Sequence, residues 1–392
     1  MENHHARMDS LRTSPRAFTL VELLVVVGII ALLVGLLLPA LGKVIDRAKA
    51  SQTRATMQEF PKACDAYFIE FGEYPAAIPN AALYLGVTDN PSDPLVVANI
   101  PKITQTENAL LALMGGYRLE PDPDYATYTG TELVFNTAPP FRIKIDATRM
   151  GEGPFRNGRK YDAFFAPKGR EFGKAAGQMN ANTALPEAAG EGLVPDLIDA
   201  WGAPIAFIAQ MRSIGPLVRK DNVPGQFERK QMIAYTGSTA LGDAGADQTD
   251  ALKGSVLSTT SAAGLPSTAA RRVTLAQLVR HAGLDSATAA GTSDADRAWA
   301  GVARGKYVLF SAGPDGIFFA RSQVRMPDGQ PMTDIISRAT NPDGPKVIDR
   351  YDDIVVSGGS GALSSTPPAA APGRRRSRRR CHPGHRGTSA GP

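Results

Sequence analysis

One carboxylate stands alone among apolar neighbours. Between Phe18 and Leu38, twenty-one residues, Glu22 is the single ionisable side chain. An ionised group in a helix surrounded by hydrocarbon costs on the order of 2.5–3.5 kcal/mol at the centre and less near an end. Such a charge needs a partner, and a cation docked beside it offsets both desolvation penalties. That is recognition chemistry rather than catalysis. For catalysis the sequence offers little: between the apolar run and the Arg-rich tail there is one histidine, His281. From Phe18 to Gly359 there is no Gly-x-Ser-x-Gly elbow, no His-Glu-x-x-His helix and no phosphate-binding Gly-x-x-x-x-Gly-Lys-Ser/Thr loop. The chain is expected not to be an enzyme, although its many Asp and Glu leave a carboxylate hydrolase open.

The element that positions Glu22 is the apolar run itself. A bilayer core needs roughly 20 apolar residues in a helix, so Phe18–Leu38 is long enough to span one. An ordinary secretory signal has an apolar region of roughly 7–15 residues. This run is longer, although Leu38-Pro39-Ala40 resembles a small-residue cleavage site. A plain uncleaved anchor is the other bland reading. Basic residues do not set the orientation, because Arg7, Arg12 and Arg16 precede the run and Lys43, Arg47, Lys49 and Arg54 follow it.

Phe18-Thr19-Leu20-Val21-Glu22-Leu23, after a short basic leader and before the apolar run, resembles the class III signal of type IV pilins and type II secretion pseudopilins. The resemblance implies cleavage by a prepilin peptidase between Ala17 and Phe18, and N-methylation of Phe18 by the same enzyme. It makes Glu22 the residue that pairs with a neighbouring subunit's terminal amine during assembly. It also places a helix-bending proline at Pro39, where the missing N–H and the ring disturb the preceding turn. One departure is Ala17, where the family carries Gly, so slower cleavage is expected. The implied partners are the processing enzyme, other pilin-like subunits, membrane proteins of a secretion platform and membrane lipid. No nucleic acid is expected. The implied location is the cytoplasmic (inner) membrane, crossed once, with the folded domain in the periplasm or outside.

Three further segments resemble major pseudopilins. Phe71-Gly72-Glu73-Tyr74-Pro75 is similar to the exit from their long helix. Asp199-Ala200-Trp201-Gly202-Ala203-Pro204 is similar to the lead into their sheet, and reads equally as a turn pinned by the Trp ring. Tyr307-Val-Leu-Phe-Ser-Ala-Gly-Pro-Asp315-Gly316 is similar to a strand that precedes a calcium loop. The resemblance implies calcium held by Asp315 with Asp352 or Asp353, since this ion takes six to eight oxygen ligands. Pro-Asp-Gly is also a common β-turn, and paired surface Asp are commonly just solvated.

The expected architecture is α+β. A long N-terminal helix, membrane-spanning in its first half, packs on an antiparallel β-sheet that carries large loop insertions. The parts are a leader (1–17), the long helix (18–72, transmembrane over 18–39), an extracytoplasmic globular domain (73–356) and a disordered Arg-rich tail (357–392). Along the helix, Leu41, Val44, Ile45 and Ala48 make one apolar face, and Phe60, Cys64, Tyr67 and Phe71 make another about 120° away. Pro61 is expected to kink it and Gly72 to stop it. A short helix is expected over Thr106–Met114, closed by Gly115-Gly116. Strands are expected at Thr131–Asn136, Phe141–Asp146, Arg159–Ala166, Ile205–Gln210, Gln231–Gly237 and from Tyr307. Residues 175–192 read as a surface loop. Residues 238–271 and 285–296 lack a hydrophobic period and read as an insertion, with a short amphipathic helix at Thr274–Ala282 between them.

The net charge of +5 comes from the tail. Without the seven Arg beyond Pro372, 36 basic residues face 38 acidic ones, so no basic nucleic-acid-binding domain is indicated. Two cysteines, Cys64 and Cys381, give no disulfide framework and no zinc spacing. The alternative functional class is a membrane-anchored binding or enzymatic domain that uses a pilin-type signal without polymerising.

Overall fold

The computed structural model describes residues 19–88, 96–97, 103–173, 193–218, 223–235, 254–255, 257, 275–276, 278–281, 302–320 and 353–359. Of these, the side chains of 36–40, 87–88, 96–97 and 233–234 lie outside the description. Helix α1 runs over Leu20–Phe71, 52 residues, with Pro39 and Pro61 inside it. Gly72 stops it as expected. Its φ of 74° is a left-handed conformation that glycine adopts without a Cβ clash, and its N–H donates to the Phe68 carbonyl at 2.8 Å.

The two halves of α1 differ completely in burial. Wherever side chains are described, Leu20 to Ala48 is exposed, including the expected face of Leu41, Val44 and Ile45. From Thr53 onward one face is buried, through Thr56, Met57, Phe60, Ala63, Cys64 and Tyr67. Among the described residues no helix is long and apolar enough to cross a membrane. The apolar run of the sequence, Phe18–Leu38, extends past the described side chains at both ends.

Helix α2, Gln105–Met114, starts at Thr104, whose hydroxyl accepts from the Glu107 N–H while the Glu107 carboxylate accepts from the Thr104 N–H. This reciprocal cap satisfies two N–H groups that the helix cannot satisfy itself. Every residue of α2 is buried. Three strands form an antiparallel sheet in the order β1 (Tyr117–Leu119), β3 (Phe141–Ile145), β2 (Thr131–Phe135). The Pro139-Pro140 segment joins β2 to β3 as the sequence suggests. A second antiparallel sheet has the order β4 (Ile205–Ala209), β5 (Tyr307–Ser311), β6 (Ile354–Gly358), with Phe207 opposite Leu309 and Leu309 opposite Val356. The expectation of α+β, with a long N-terminal helix and antiparallel sheets, is borne out.

This second sheet is covered on both faces. Ile205, Phe207, Tyr307 and Leu309 pack with α2 and the second half of α1. Ala206, Ile208, Val308 and Phe310 pack with Leu217, Phe227, Met232, Leu257, Leu275, Leu278, Phe318 and Phe319. A strand buried on both sides needs apolar residues at every position rather than alternating ones, which explains Ile-Ala-Phe-Ile-Ala and Tyr-Val-Leu-Phe.

Several expectations need correction. Arg159–Ala166 is not one strand. Only Arg159–Lys160 pairs, in a hairpin with Phe155–Arg156, after which the chain turns so that the Phe164 N–H donates to the Leu113 carbonyl at the end of α2. Gln231–Gly237 is not a strand where it is described. Arg229–Tyr235 forms a 3-10 helix, set by Glu228, whose N–H donates to Gln231 Oε1 and whose carbonyl accepts the Gln231 N–H. The stretch read as a poor core builder contributes the buried Leu257, whereas Leu275, Leu278 and Val279 are buried on helical backbone in line with the short amphipathic helix expected there. Strand β6 runs to Gly358, so the folded part extends two residues into the segment assigned to the tail. The expected surface loop at 175–192, the segment 285–296 and the Arg-rich run lie outside the described residues.

Candidate processing and assembly site

Described structure begins at Thr19, the N-cap of α1, with extended φ and ψ of −74° and 149°. Thr19 and Glu22 form a capping box. The Glu22 N–H donates to the Thr19 hydroxyl at 3.2 Å, and the Thr19 N–H and hydroxyl both donate to Glu22 Oε2 at 2.9 Å. A helix N-terminus leaves N–H groups unpaired and carries partial positive charge, so a carboxylate is favourable in the first turn. Glu22 is therefore first of all the cap of its own helix. Both bonds fall on Oε2, and among the described residues no donor reaches Oε1. The geometry permits a cation to approach Oε1 without dismantling the cap.

The spacing Thr19-x-x-Glu22 before an apolar run is a capping-box signature, so the sequence carries this signal. Reading Glu22 only as a charge awaiting a partner missed it. Ala17 and Phe18 lie outside the described residues. Pro39 lies within α1 without ending it.

Two of the acids assigned to calcium are described, and both accept backbone N–H groups. Asp315 Oδ1 accepts the Ile317 N–H at 2.9 Å, which closes a local turn. Asp353 accepts the Phe319 N–H with both oxygens, at 2.9 and 3.1 Å, and ties the start of β6 to the segment after β5. Asp352 lies outside the described residues. Among the described residues no group of three or more His, Cys, Asp or Glu is placed to hold a metal ion.

Two polar constellations join the packed half of α1 to the sheet. Ser311 donates to Asp199 Oδ2 at 2.6 Å, while Oδ1 accepts the N–H groups of Trp201 and Ala203, both at 2.9 Å. Asp199 therefore organises this corner together with the Trp201 ring, which packs on the core, and the following N–H, of Ala200, donates to Thr53 on α1. Burial pushes the Asp199 carboxyl above the usual carboxylate range, against the opposing pull of the Ser311 hydroxyl and the backbone N–H donors. The second constellation is Tyr307, whose hydroxyl points at the Pro61 carbonyl (3.1 Å) and Asp65 Oδ1 (3.3 Å). Burial raises Asp65 as well. Cys64 is fully buried, and burial pushes its thiol well above the usual range, so it behaves as a small apolar residue.

Residues 12–38 match the prokaryotic N-terminal methylation motif. The motif takes in Ala17, Phe18 and Glu22, and is consistent with a prepilin-type signal of the type IV pilin-like kind. The resemblance drawn from Phe18–Leu23 is thereby borne out. Comparison of the chain with curated proteins and with solved structures gives no match.

Proposed function

We propose that the chain is a structural subunit of a pilus-like filament, a pseudopilin of a type II secretion-type system supporting protein secretion. The observation that carries this reading is the methylation motif at residues 12–38, which leads directly into an exposed apolar half-helix. A prepilin peptidase cuts between Ala17 and Phe18 and methylates the new terminus. The apolar run anchors the subunit in the cytoplasmic membrane, with the domain from Gly72 onward on the outer side. Subunits leave the bilayer by polymerising, so that the exposed side chains of Leu20 to Ile45 exchange lipid for one another. Glu22 keeps its Thr19 cap and receives a neighbour's terminal amine at the other oxygen. Removing such a charge pair from water is favourable only when both members are matched. The other partners are further pilin-like subunits and the membrane proteins of the secretion platform. The protein performs no catalysis; the chemistry is done on it.

The N-terminal mass of the protein from membranes of the native host tests the processing step. The expected product starts at methylated Phe18; an uncut chain, or any other start, would sink it. For assembly, Glu22→Ala is expected to abolish filament incorporation while leaving membrane insertion intact. Normal incorporation of that variant would refute the pairing role.

A further inference from the structure

We propose that the first turns of α1 beyond the apolar run form a collar for the phosphates of anionic lipid headgroups. Lys43 and Arg47 make the contacts, and Lys49 adds to the field. The inference rests on the proposed membrane anchoring of α1. Between Leu41 and Gln58, Lys43, Arg47, Lys49 and Arg54 face a single acid, Asp46. Lys43, Arg47 and Arg54 are exposed and Lys49 is half-buried. Among the described residues none of the four joins an ion pair. The tendency of Lys and Arg to gather at the cytoplasmic end of a span accounts for Arg7, Arg12 and Arg16, not for this group.

Position along the helix decides which of the four can reach lipid. With a rise of ~1.5 Å per residue, Lys43 lies about 7.5 Å beyond Leu38, Arg47 about 13 Å, Lys49 about 16 Å and Arg54 about 24 Å. The headgroup layer of one leaflet is roughly 5–7 Å deep. Helical side chains lean toward the N-terminus, here back toward the bilayer, and long cationic ones extend to reach it. Lys43 thus sits in the headgroup layer and Arg47 reaches its outer edge. Lys49 lies within about a Debye length, ~8–10 Å, of that edge. Arg54 is out of range. At 100° per residue Lys43, Arg47 and Arg54 share one side of the helix, beside the Leu41, Val44, Ile45 and Ala48 face rather than on it. Lipid contact through the basic side therefore leaves the apolar face free for a neighbouring subunit.

The test uses the full chain in phosphatidylcholine vesicles carrying a trace of spin-labelled phosphatidylglycerol or spin-labelled phosphatidylcholine. Electron spin resonance reads the fraction of each probe held at the protein surface. The native chain is expected to prefer the anionic probe. Lys43→Gln with Arg47→Gln is expected to reduce that preference by roughly two- to fivefold per side chain removed, and Arg54→Gln to leave it unchanged. Held lipid without preference for the anionic probe, or an Arg54→Gln loss equal to that of the other two, would overturn the collar alone. A chain that holds neither probe would overturn the anchoring and the collar together.

Discussion

The two halves of α1 are built from one continuous backbone yet follow different rules. From Leu23 to Leu38 the first half is apolar on all sides, and none of its described side chains is covered. The second has a single apolar face, and that face is buried against α2 and both outer strands and the centre of the β4–β5–β6 sheet. A helix that is apolar all round belongs in lipid or in a larger assembly, whereas a one-sided stripe belongs on a domain. The contrast teaches that the domain does not need the first half to fold. The described side chains of the first half are thus available to an outside partner, while those on the buried face of the second are committed.

The largest expected effect that can break this comparison comes from Phe60→Ala. Phe60 is fully buried and meets Phe165 and Phe207 edge-on at 5.3 and 5.5 Å. The substitution is expected to cost the domain about 3–5 kcal/mol in urea unfolding of the detergent-solubilised chain. A loss below about 1 kcal/mol would mean that the second half is not core.

Tyr307→Phe comes next. It removes the donor to the buried Pro61 carbonyl and the half-buried Asp65, at a cost of about 0.5–1.5 kcal/mol in the same assay. An unchanged midpoint would show that the bond does not join helix to sheet.

Asp199→Asn sharpens the picture through pH. Burial raises the folded carboxyl above its unfolded value, so its contribution to stability is fully present below about pH 4. That contribution is lost as pH rises through the raised value. Relative to the native chain, the Asn variant is therefore expected to gain stability between pH 4 and pH 7. A difference that stays constant, or falls, with pH would contradict the assignment.

The smallest effect is expected from Ile45→Ala, whose side chain is 52% exposed. It should move the unfolding midpoint by less than about 0.5 kcal/mol. A loss as large as that of Phe60→Ala would erase the distinction between the halves.

Much of this was legible in the sequence, for physical reasons that vary by element. The second half of α1 announced itself through Phe60, Cys64 and Tyr67 at helical spacing, and its end through Gly72. Strands β2 and β3 were readable because each side of their sheet differs in burial. Strands β4 and β5 were readable through their unbroken apolar runs. The segments that failed did so for different reasons. Arg159–Ala166 carries apolar residues, but Phe165 is buried by a chain that crosses the end of α2 rather than by ladder pairing. Gln231–Gly237 has strand-like composition, yet a side-chain-to-backbone turn at Glu228 sets its course. In the first a contact distant in sequence overrides the local pattern, and in the second a turn only three residues long does. The second core was partly legible: Leu275, Leu278 and Val279 make the apolar side of the expected short helix, whereas Leu257 gains meaning only once β5 presents Val308 and Phe310 to it. At the candidate site the motif identified Glu22, while its double duty with Thr19 emerged from geometry.

The hydroxyl of Tyr307 has a mechanical consequence. It fastens α1 at Pro61 to β5, the middle strand of its sheet, which is paired on both sides along its whole length. Tension drawn along the helix, as by neighbours in a filament, enters the domain at that middle strand. Two ladders of hydrogen bonds then share the load in shear, and no edge strand is peeled away one bond at a time.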